Sequence, residues 1–365
     1  MKWSIPIARI AGTVVKVHVT FLLLLAAVGM MFFANGGPAV AAGALVFTGA
    51  LFLCVLLHEF GHIFAARAFG IRTPDVTLLP IGGLARLERI PERPVQELIV
   101  ALAGPMVNVV IAAILIAILG MPDPNMPQTM DFSSAASLGQ RLMVINVWLV
   151  VFNMIPAFPM DGGRVLRALL AMFLPYAKAT AIAAAIGQML AGLGVILALM
   201  WLHPMFFLIA VFIFFAARGE NESVQTSEAM RDLTLADAMI TDFHTLPLEG
   251  RLQDAADALI AGSQHDFPIL AADGSLAGIL TRGRLVEGLT HHGPDHPLAD
   301  LILTDIPKVF PATPLKQAFE VLRSIPSEVL PVRDSREHAV VGLLSAENIG
   351  ELLLLRHALA EWKTH

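Results

Sequence analysis

The chain has 365 residues, of which 56% are hydrophobic and 15% are charged, and its mean hydropathy is +0.71. These values exclude an ordinary soluble globular protein and indicate that much of the chain lies in lipid. The formal net charge of -6 argues against a nucleic-acid partner. Cys54 is the only cysteine in the sequence, so no intramolecular disulfide can form.

Long uncharged runs divide the first part of the chain. Residues 17–58, 98–122, 142–160 and 179–217 contain no Asp, Glu, Lys or Arg. Because one bilayer crossing needs about 20 apolar residues, the first run is long enough for two crossings, and it is interrupted at Gly36-Gly37-Pro38. The last run is also long enough for two, with an interruption at His203-Pro204. The sequence therefore predicts an α-helical polytopic membrane protein with about six transmembrane helices.

Basic residues predict how these helices are oriented, because cytoplasmic loops carry an excess of Lys and Arg. The loop of residues 121–140 holds two Asp and no basic residue, and it is expected to lie outside. The first apolar run has no small-residue cleavage site and is expected to remain as a span. We therefore expect a multi-pass protein of the cytoplasmic membrane with both termini in the cytoplasm. The basic residues that flank the predicted spans on this face are Lys2, Arg9, Lys16, Arg67, Arg72, Arg86, Arg89, Arg93, Arg164, Arg167 and Arg218.

After Arg218 the charge density becomes that of a soluble domain, and two halves repeat. The segment Leu235-Ala236-Asp237 returns as Leu298-Ala299-Asp300, a shift of 63 residues, and Phe267-Pro268-Ile269-Leu270 is echoed by Leu330-Pro331-Val332 at the same shift. Each half is predicted to form a short strand, an amphipathic helix, two strands and a closing helix. The predicted segments are a transmembrane domain at 1–218, a linker at 219–228, and α/β modules at 229–292 and 293–365.

The second predicted span ends in His58-Glu59-Phe60-Gly61-His62, which fits the pattern H-E-x-x-H. On a helix, histidines four residues apart project from one face and can bind one zinc ion. Glu59 lies between them and could act as a base toward water at the metal. A single charge in such an apolar segment costs roughly 2.5–3.5 kcal/mol to bury, which disfavours a purely structural role for this cluster.

A catalytic zinc site needs a third protein ligand and keeps one position open for water. Asp161 meets that requirement at the end of the fourth apolar run, within Asn153 to Gly163, N-M-I-P-A-F-P-M-D-G-G. Its two prolines break a helix and its two glycines permit tight turns, so irregular backbone is expected around the metal. The sequence therefore predicts a zinc ion bound by His58, His62 and Asp161.

Two further motifs accompany this set, Ala103-Gly104-Pro105-Met106-Val107-Asn108 and Leu79-Pro80-Ile81-Gly82-Gly83. Together the motifs resemble those of the site-2 protease family of intramembrane metalloproteases, in the branch with C-terminal CBS domains. The resemblance implies a core of α-helices, zinc on the two histidines and Asp161, and Glu59 as catalytic base. It also implies that the substrates are membrane-anchored regulators, often cut after a first protease has trimmed them.

Three asparagines are weaker candidates for the site. Asn153 leads the Asp161 motif and is predicted to hold the developing oxyanion of the peptide bond. Asn108 is predicted to face the substrate, with an interhelical contact as the alternative. For Asn146, a packing contact between helices and a role in the site are both open.

The repeated halves resemble a pair of CBS domains. That family binds adenine nucleotides between its modules, and an Asp three residues after a Thr or Ser commonly holds the ribose. Thr281 and Ser345 match the hydroxyl positions here, but Arg284 and Asn348 stand where the acids are expected. We therefore predict that an adenine nucleotide binds weakly or not at all at Thr281, Ser345 and Asn348, and that the pair mainly forms a homodimer.

The segment from Thr77 to Glu92 is predicted to form a hairpin at the membrane surface, whose edge could take an unwound substrate as an added strand. Two other classes of function remain open at this point. A transporter gated by CBS domains would require ionisable residues in several spans and inverted repeats. A catalytically inactive scaffold that holds membrane proteins is the third possibility.

Overall fold

The computed structural model describes residues 3–80, 82–86, 93–121, 135–334 and 339–363. The chain divides into two compact units, Met1–Val224 and Gln225–His365. The predicted linker, residues 219–228, is helical and continues the last membrane helix of the first unit.

The first unit contains a four-stranded sheet in the order β1-β2-β3-β4, with β1 at Ser4–Ile10, β2 at Thr13–His18, β3 at Asp75–Leu79 and β4 at Gly82–Arg86. Along β2, buried side chains alternate with half-buried ones. β2 and β3, the two central strands of the sheet, pair in parallel. Lys16 of β2 forms an ion pair with Asp75 at 2.6 Å. The predicted hairpin is confirmed as β3 and β4, and residues 87–92 lie outside the described chain.

The N-terminal hairpin of β1 and β2 was not predicted, although its signal is present in the sequence. The alternating side chains Thr13, Val15 and Val17 are the buried ones in β2. Ala11 and Gly12 both have positive φ, 47° and 80°, which fits a tight hairpin turn between the two strands. The basic residues Arg9 and Lys16, predicted to flank a membrane span, lie within these two strands.

Six helices complete the first unit: α1 (Val19–Ala68), α2 (Pro94–Leu119), α3 (Ala135–Asn153), α4 (Asp161–Ala171), α5 (Tyr176–Met200) and α6 (Pro204–Ala229). α1 leaves helical geometry at Gly37, where φ is 76°, directly before Pro38. The predicted break in the first apolar run is therefore confirmed. The break between α5 and α6 at His203-Pro204 is confirmed as well.

Among the described residues, four helices are long and apolar enough to cross a membrane, namely α1, α2, α5 and α6. α1 has 50 residues, or about 75 Å at the usual rise per residue, and each side of Gly37 can provide one crossing. α3 has 19 residues and follows the segment 122–134, which is outside the described chain. The helical membrane fold is confirmed, and the count of six crossings stays a prediction.

A buried charge cluster joins four of these helices. Arg167 of α4 is fully buried, and it donates to Glu97 of α2 through Nε, at 2.8 Å, and Nη2. Its Nη1 donates to Glu220 of α6 at 2.6 Å. Its guanidinium also lies 5.0 Å from the ring centroids of Phe158 and Tyr176. A buried guanidinium with this many partners holds α4 in a fixed position against α2, α5 and α6.

The second unit contains the repeated modules in the predicted order, which confirms the α/β character of this region. The first has a 3₁₀ turn (Leu235–Asp237), β5 (Leu246–Pro247), α7 (Leu252–Ala261), β6 (Phe267–Leu270), β7 (Leu276–Leu280) and α8 (Arg282–His292). The second has a 3₁₀ turn (Leu298–Asp300), α9 (Leu315–Leu322), β8 (Val329–Arg333), β9 (Val340–Ser345) and α10 (Ala346–Lys363). In place of its predicted first strand, the second module has an isolated bridge between Val309 and Val332.

One buried carboxylate joins the two modules. Asp266, which is 2% exposed, accepts from the Arg282 N–H at the start of α8 and from Ser327 Oγ and the Glu328 N–H of the second module. The bonds from Ser327 and Glu328 cross between the modules and tie them into one unit, which fits a CBS pair that packs as a single body.

The charge cluster around Arg167 leads to the first prediction. Replacing Arg167 with Leu leaves Glu97 buried without its counter-charge, which should cost about 3–5 kcal/mol of unfolding free energy. The matched control is Arg218→Leu, because Arg218 forms an i,i+4 pair with Glu222 in which both side chains are 61% exposed. That pair should be worth at most about 0.5 kcal/mol. Thermal unfolding in detergent measures both, and equal stability of the two variants would contradict the prediction.

Candidate active site

The two histidines of the H-E-x-x-H motif and Asp161 meet in the interior of the first unit. His58 and His62 lie on one face of α1, and Asp161 is the first residue of α4. Asp161 Oδ2 lies 3.2 Å from His58 Nε2 and 3.2 Å from His62 Nε2, and the two Nε2 atoms are 3.1 Å apart. All three side chains are buried, and they form the one potential metal cluster found among the described residues.

Each imidazole ring forms a hydrogen bond through Nδ1, on the side away from the cluster, and this bond determines which ring nitrogen faces the other ligand atoms. His58 Nδ1 lies 2.5 Å from Asn108 Oδ1, and His62 Nδ1 lies 2.7 Å from the Val100 carbonyl oxygen. Both oxygens accept, so each Nδ1 carries a proton and Nε2 is the ring nitrogen that faces the centre of the cluster. Asp161 Oδ2 is likewise buried and accepts no hydrogen bond from the described residues.

Two imidazole nitrogens and one carboxylate oxygen therefore converge in the protein interior, an arrangement that a bound cation would satisfy. Tetrahedral zinc with bonds of about 2.0–2.1 Å would place its ligand atoms about 3.3–3.4 Å apart. The observed separations of 3.1–3.2 Å fit that requirement closely. Two imidazoles, one carboxylate and an open position are also the ligand set of a catalytic zinc site.

Glycines let neighbouring backbone approach these ligands. A Cβ atom at Gly104 of α2 would overlap His62 Nε2 and would lie 2.7 Å from His58 Nε2. A Cβ at Gly61, within the H-E-x-x-H motif, would lie 2.6 Å from the Ala103 carbonyl oxygen. The Gly104-Pro105 motif thus allows α2 to pass directly against the metal-binding face of α1.

The backbone between α3 and α4 is irregular from Met154 to Met160, as predicted. A Cβ at Gly162 would overlap the Ile155 carbonyl oxygen, and one at Gly163 would lie 2.7 Å from the Phe158 nitrogen. The loop therefore folds back onto the first turn of α4. This close packing fixes the start of the helix and, with it, the carboxylate of Asp161.

Glu59 is half-buried beside the histidines, and β4 passes over it. A Cβ atom at Gly83 would lie 2.5 Å from Glu59 Cγ and 3.1 Å from Oε1. Within the described chain, no hydrogen-bond partner holds the Glu59 carboxylate. Its position next to the metal-binding atoms, at the edge of the sheet, suits a base that must exchange protons.

The asparagine predictions have different outcomes. Asn108 is fully buried and makes interhelical contacts with His58 on α1 and Asn146 on α3, and its role toward substrate stays a prediction. Asn153 is half-buried at the end of α3, and its Nδ2 donates to the Leu149 carbonyl at 3.0 Å. Its role toward the oxyanion stays a prediction. Asn146 is buried and accepts from Asn108 Nδ2 at 2.7 Å, which is an interhelical contact of the kind left open above.

The nucleotide candidates in the second unit all have partners within the protein. Thr281 caps the N-terminus of α8 by accepting from the Arg284 N–H. Arg284 Nη1 donates to the carbonyls of Leu301 and Ile302, at 3.1 and 2.9 Å. Ser345 Oγ lies 2.6 Å from Asn348 Oδ1 and accepts from the Asn348 N–H, at the start of α10. The arginine thus stabilises the connection between modules.

The chain matches the family model of Peptidase family M50 over residues 46–138 and 118–194, and that of the CBS domain over residues 235–291. A zinc metalloprotease of Methanocaldococcus jannaschii is 30% identical over 311 residues, which cover 85% of this chain and 88% of that protein. Rip3 of Mycobacterium tuberculosis, also named as a zinc metalloprotease, is 28% identical over 382 residues, covering 97% and 93%.

A solved structure of a site-2 protease from Methanocaldococcus jannaschii is similar at 33% identity and a TM-score of 0.44, covering 60% of this chain and 95% of that one. The match to the curated M. jannaschii protein extends over nearly all of both chains, and the family model spans the residues that build the metal-binding site. The chain belongs to peptidase family M50, the site-2 type of zinc metalloprotease, with CBS-domain sequence at its C-terminal side.

Proposed function

We propose that this protein hydrolyses peptide bonds of membrane-anchored proteins inside or beside the bilayer. The observation that carries the proposal is the convergence of His58, His62 and Asp161 in a helical membrane unit, with Glu59 alongside. Ionisable groups at such a depth mark a functional site, because burial without a function is costly. A substrate that reaches this centre must itself be embedded in the membrane or anchored at its surface.

Zinc held by these residues would supply Lewis-acid activation of a water molecule and of the scissile carbonyl. Glu59 takes the proton of the attacking water and delivers it to the leaving nitrogen. Asn153 has used one N–H on the Leu149 carbonyl, and its second N–H can donate to the developing oxyanion. Burial of the three ligands keeps the centre dry except for the water that reacts.

β4 is the proposed site at which a substrate is received. It is the last strand of the sheet, paired with β3 on one side, and Gly83 brings it against Glu59. A transmembrane helix hides its peptide bonds in internal hydrogen bonds, so it must unwind before hydrolysis. An unwound segment that pairs with the outer edge of β4 would recover backbone hydrogen bonds close to the catalytic base.

The basic residues on one predicted face support a location in the cytoplasmic membrane, with both termini and the CBS pair in the cytoplasm. A CBS-gated transporter fits less well, because the buried ionisable side chains in the described part of the membrane unit gather at one metal centre and one Arg167 cluster. An inactive scaffold would not need an unengaged Glu59 beside a complete ligand set. Cleavage assays therefore separate these alternatives.

The second prediction tests Glu59 as the base. Glu59→Gln should retain about one zinc ion per chain, since the three ligands are unchanged, but should lose cleavage of a model transmembrane substrate. The loss follows because an amide cannot accept the proton from water. Glu228→Gln, at an exposed position of α6, is the matched control. Substantial proteolysis by the Glu59 variant in reconstituted vesicles would refute this assignment.

The third prediction concerns the third ligand. Asp161→Ala removes one of three protein ligands, so both zinc content and proteolysis should fall strongly. Metal content by elemental analysis and turnover of the same substrate check this. Asp232→Ala, at an exposed position, provides the control. A variant that kept both zinc and turnover would show that Asp161 is not a ligand.

For the CBS pair, modules 229–292 and 293–365, we propose a role mainly in forming a homodimer. The positions where acids would hold a ribose are Arg284 and Asn348, and both side chains are engaged within the protein. A nucleotide would have to displace the Arg284 bonds to two carbonyls, which lowers its affinity. A ligand can regulate the membrane unit only through differential affinity for two states, so weak binding also means weak regulation.

The fourth prediction follows from these contacts. Calorimetry on the detergent-solubilised chain should show weak or absent binding of ATP and AMP, whereas sedimentation should show a dimer. Asn348→Asp restores a carboxylate that can still accept from Ser345, and it should tighten binding. Micromolar affinity of the wild-type chain for ATP or AMP would contradict the expected weak binding. A monomer at high protein concentration would contradict the expected dimer.

A further inference from the structure

A continuous line of hydrogen bonds leads from a backbone carbonyl on α3 to the metal-binding ring of His58. Asn146 Nδ2 donates to the Leu142 carbonyl at 2.7 Å, Asn108 Nδ2 donates to Asn146 Oδ1 at 2.7 Å, and Asn108 Oδ1 lies 2.5 Å from His58 Nδ1. We propose that Asn146 and Asn108 form an amide relay that fixes the orientation and proton position of the His58 ring. This inference rests on the proposed function, since it concerns the same metal site.

The direction of the relay is set at its far end. The Leu142 carbonyl can only accept, so the NH₂ end of Asn146 must face it and the Asn146 oxygen must face Asn108. Asn108 then has to present its NH₂ end to Asn146 and its oxygen to His58. An oxygen there requires a proton on Nδ1. Rotating either amide by half a turn would place two donors or two acceptors together at both of its contacts.

Burial makes this direction costly to reverse. Asn108 and Asn146 are both fully buried, so water does not compensate a broken bond. The second N–H of Asn146 points at Cys54 Sγ, 3.4 Å away and one turn before His58 on α1. Asn146 is thereby held by α3 and α1 while it orients Asn108 on α2. Three helices together fix one imidazole.

The proton position of the His62 ring is fixed by a single hydrogen bond. Its Nδ1 is bonded directly to the Val100 carbonyl of α2 at 2.7 Å, without an intervening side chain. The two metal-binding rings therefore depend on different residues for the same outcome, a lone pair at Nε2. Asn146 touches neither ring, so it is a positioning residue that acts through Asn108.

The first measurement is zinc affinity of the full-length protein in detergent, by competition with a chelator. Loss of a partner behind a metal-binding histidine typically weakens metal binding about 10–100-fold. We expect a decrease of that order for Asn108→Leu and a smaller one, up to about tenfold, for Asn146→Leu. Asn108→Asp keeps an acceptor toward His58 and should rescue affinity to near the wild-type value. Thr180→Val is the matched control, because Thr180 is also fully buried and donates to a carbonyl four residues before it, that of Tyr176, outside the metal site.

The second measurement follows the ring protons directly. With Co²⁺ in place of zinc, each metal-bound histidine should give a paramagnetically shifted Nδ1–H resonance that exchanges with solvent. Asn146→Leu should speed exchange of the His58 proton and leave the His62 proton, bonded to Val100, unchanged. A general packing defect would affect both, so equal changes at the two protons would overturn the relay.

The outcomes separate the relay from the metal site itself. Wild-type protein that binds no zinc overturns the proposed function. Wild-type binding with unchanged affinity and exchange in Asn146→Leu overturns the relay alone. If Asn146→Leu does not fold, as judged by thermal unfolding, the two Asn108 variants provide the test. Equal zinc affinities of Asn108→Leu and Asn108→Asp would overturn the relay. Near-wild-type affinity of Asn108→Asp alone would support it.

Discussion

The ligand atoms of His58, His62 and Asp161 lie 3.1–3.2 Å from one another in the protein interior, and the surrounding structure holds the three side chains in that arrangement. Each ring is held from behind at Nδ1, and Asp161 is fixed as the first residue of a helix. These protein contacts restrict the side chains, which reduces the conformational entropy that metal binding has to offset. The same rigidity makes the site dependent on its neighbours, because a ring that rotates would lose its metal-facing lone pair.

The glycines of the motifs matter at this centre mainly because they lack a side chain, which lets neighbouring helices, strands and loops approach closely. Gly104 brings α2 against both histidines, and Gly83 brings β4 against Glu59. Gly162 and Gly163 let the loop after α3 pack on the first turn of α4. In each case a side chain would occupy space needed by a ligand, by the base or by backbone. Helices, sheet and loop therefore meet at one point, with the base on one side of the metal-binding atoms.

The three residues of the potential metal cluster could be predicted to meet because their signal is local. The i,i+4 spacing of His58 and His62 and the uncharged runs around them and Asp161 are visible in the sequence alone. The role of Asn108 could not be predicted, since it depends on which face of α2 meets α1, and that is decided by packing. Arg167 was likewise counted only as a cytoplasmic basic residue. Its burial against Glu97 and Glu220, residues 70 and 53 positions away, has no local signature.

In the second unit, too, some features could be predicted from the sequence and others could not. Repeats at a fixed shift predicted two modules and the order of their helices and strands. They gave no sign that Asp266 would bond Ser327 and Glu328 across the modules, because the residue at the equivalent position of the second module, 63 residues later, is the hydrophobic Val329. Internal symmetry therefore predicts the fold of each module. The contacts that join the modules break the symmetry and have to be seen in three dimensions.

The short helix α4 connects the two buried polar centres of the membrane unit. Asp161 at its first residue belongs to the metal site, and Arg167 lies six residues later in the charge cluster. At a rise of about 1.5 Å per residue, the two are separated by about 9 Å along the axis. Since α4 is rigid over that distance, the position of the carboxylate depends on the bonds of the guanidinium to Glu97 on α2 and Glu220 on α6. α6 is the helix that continues without a break to Ala229, past the end of the first unit at Val224. Glu220 is therefore the contact through which the position of α6 bears on Arg167, and through Arg167 on the helix that begins with Asp161.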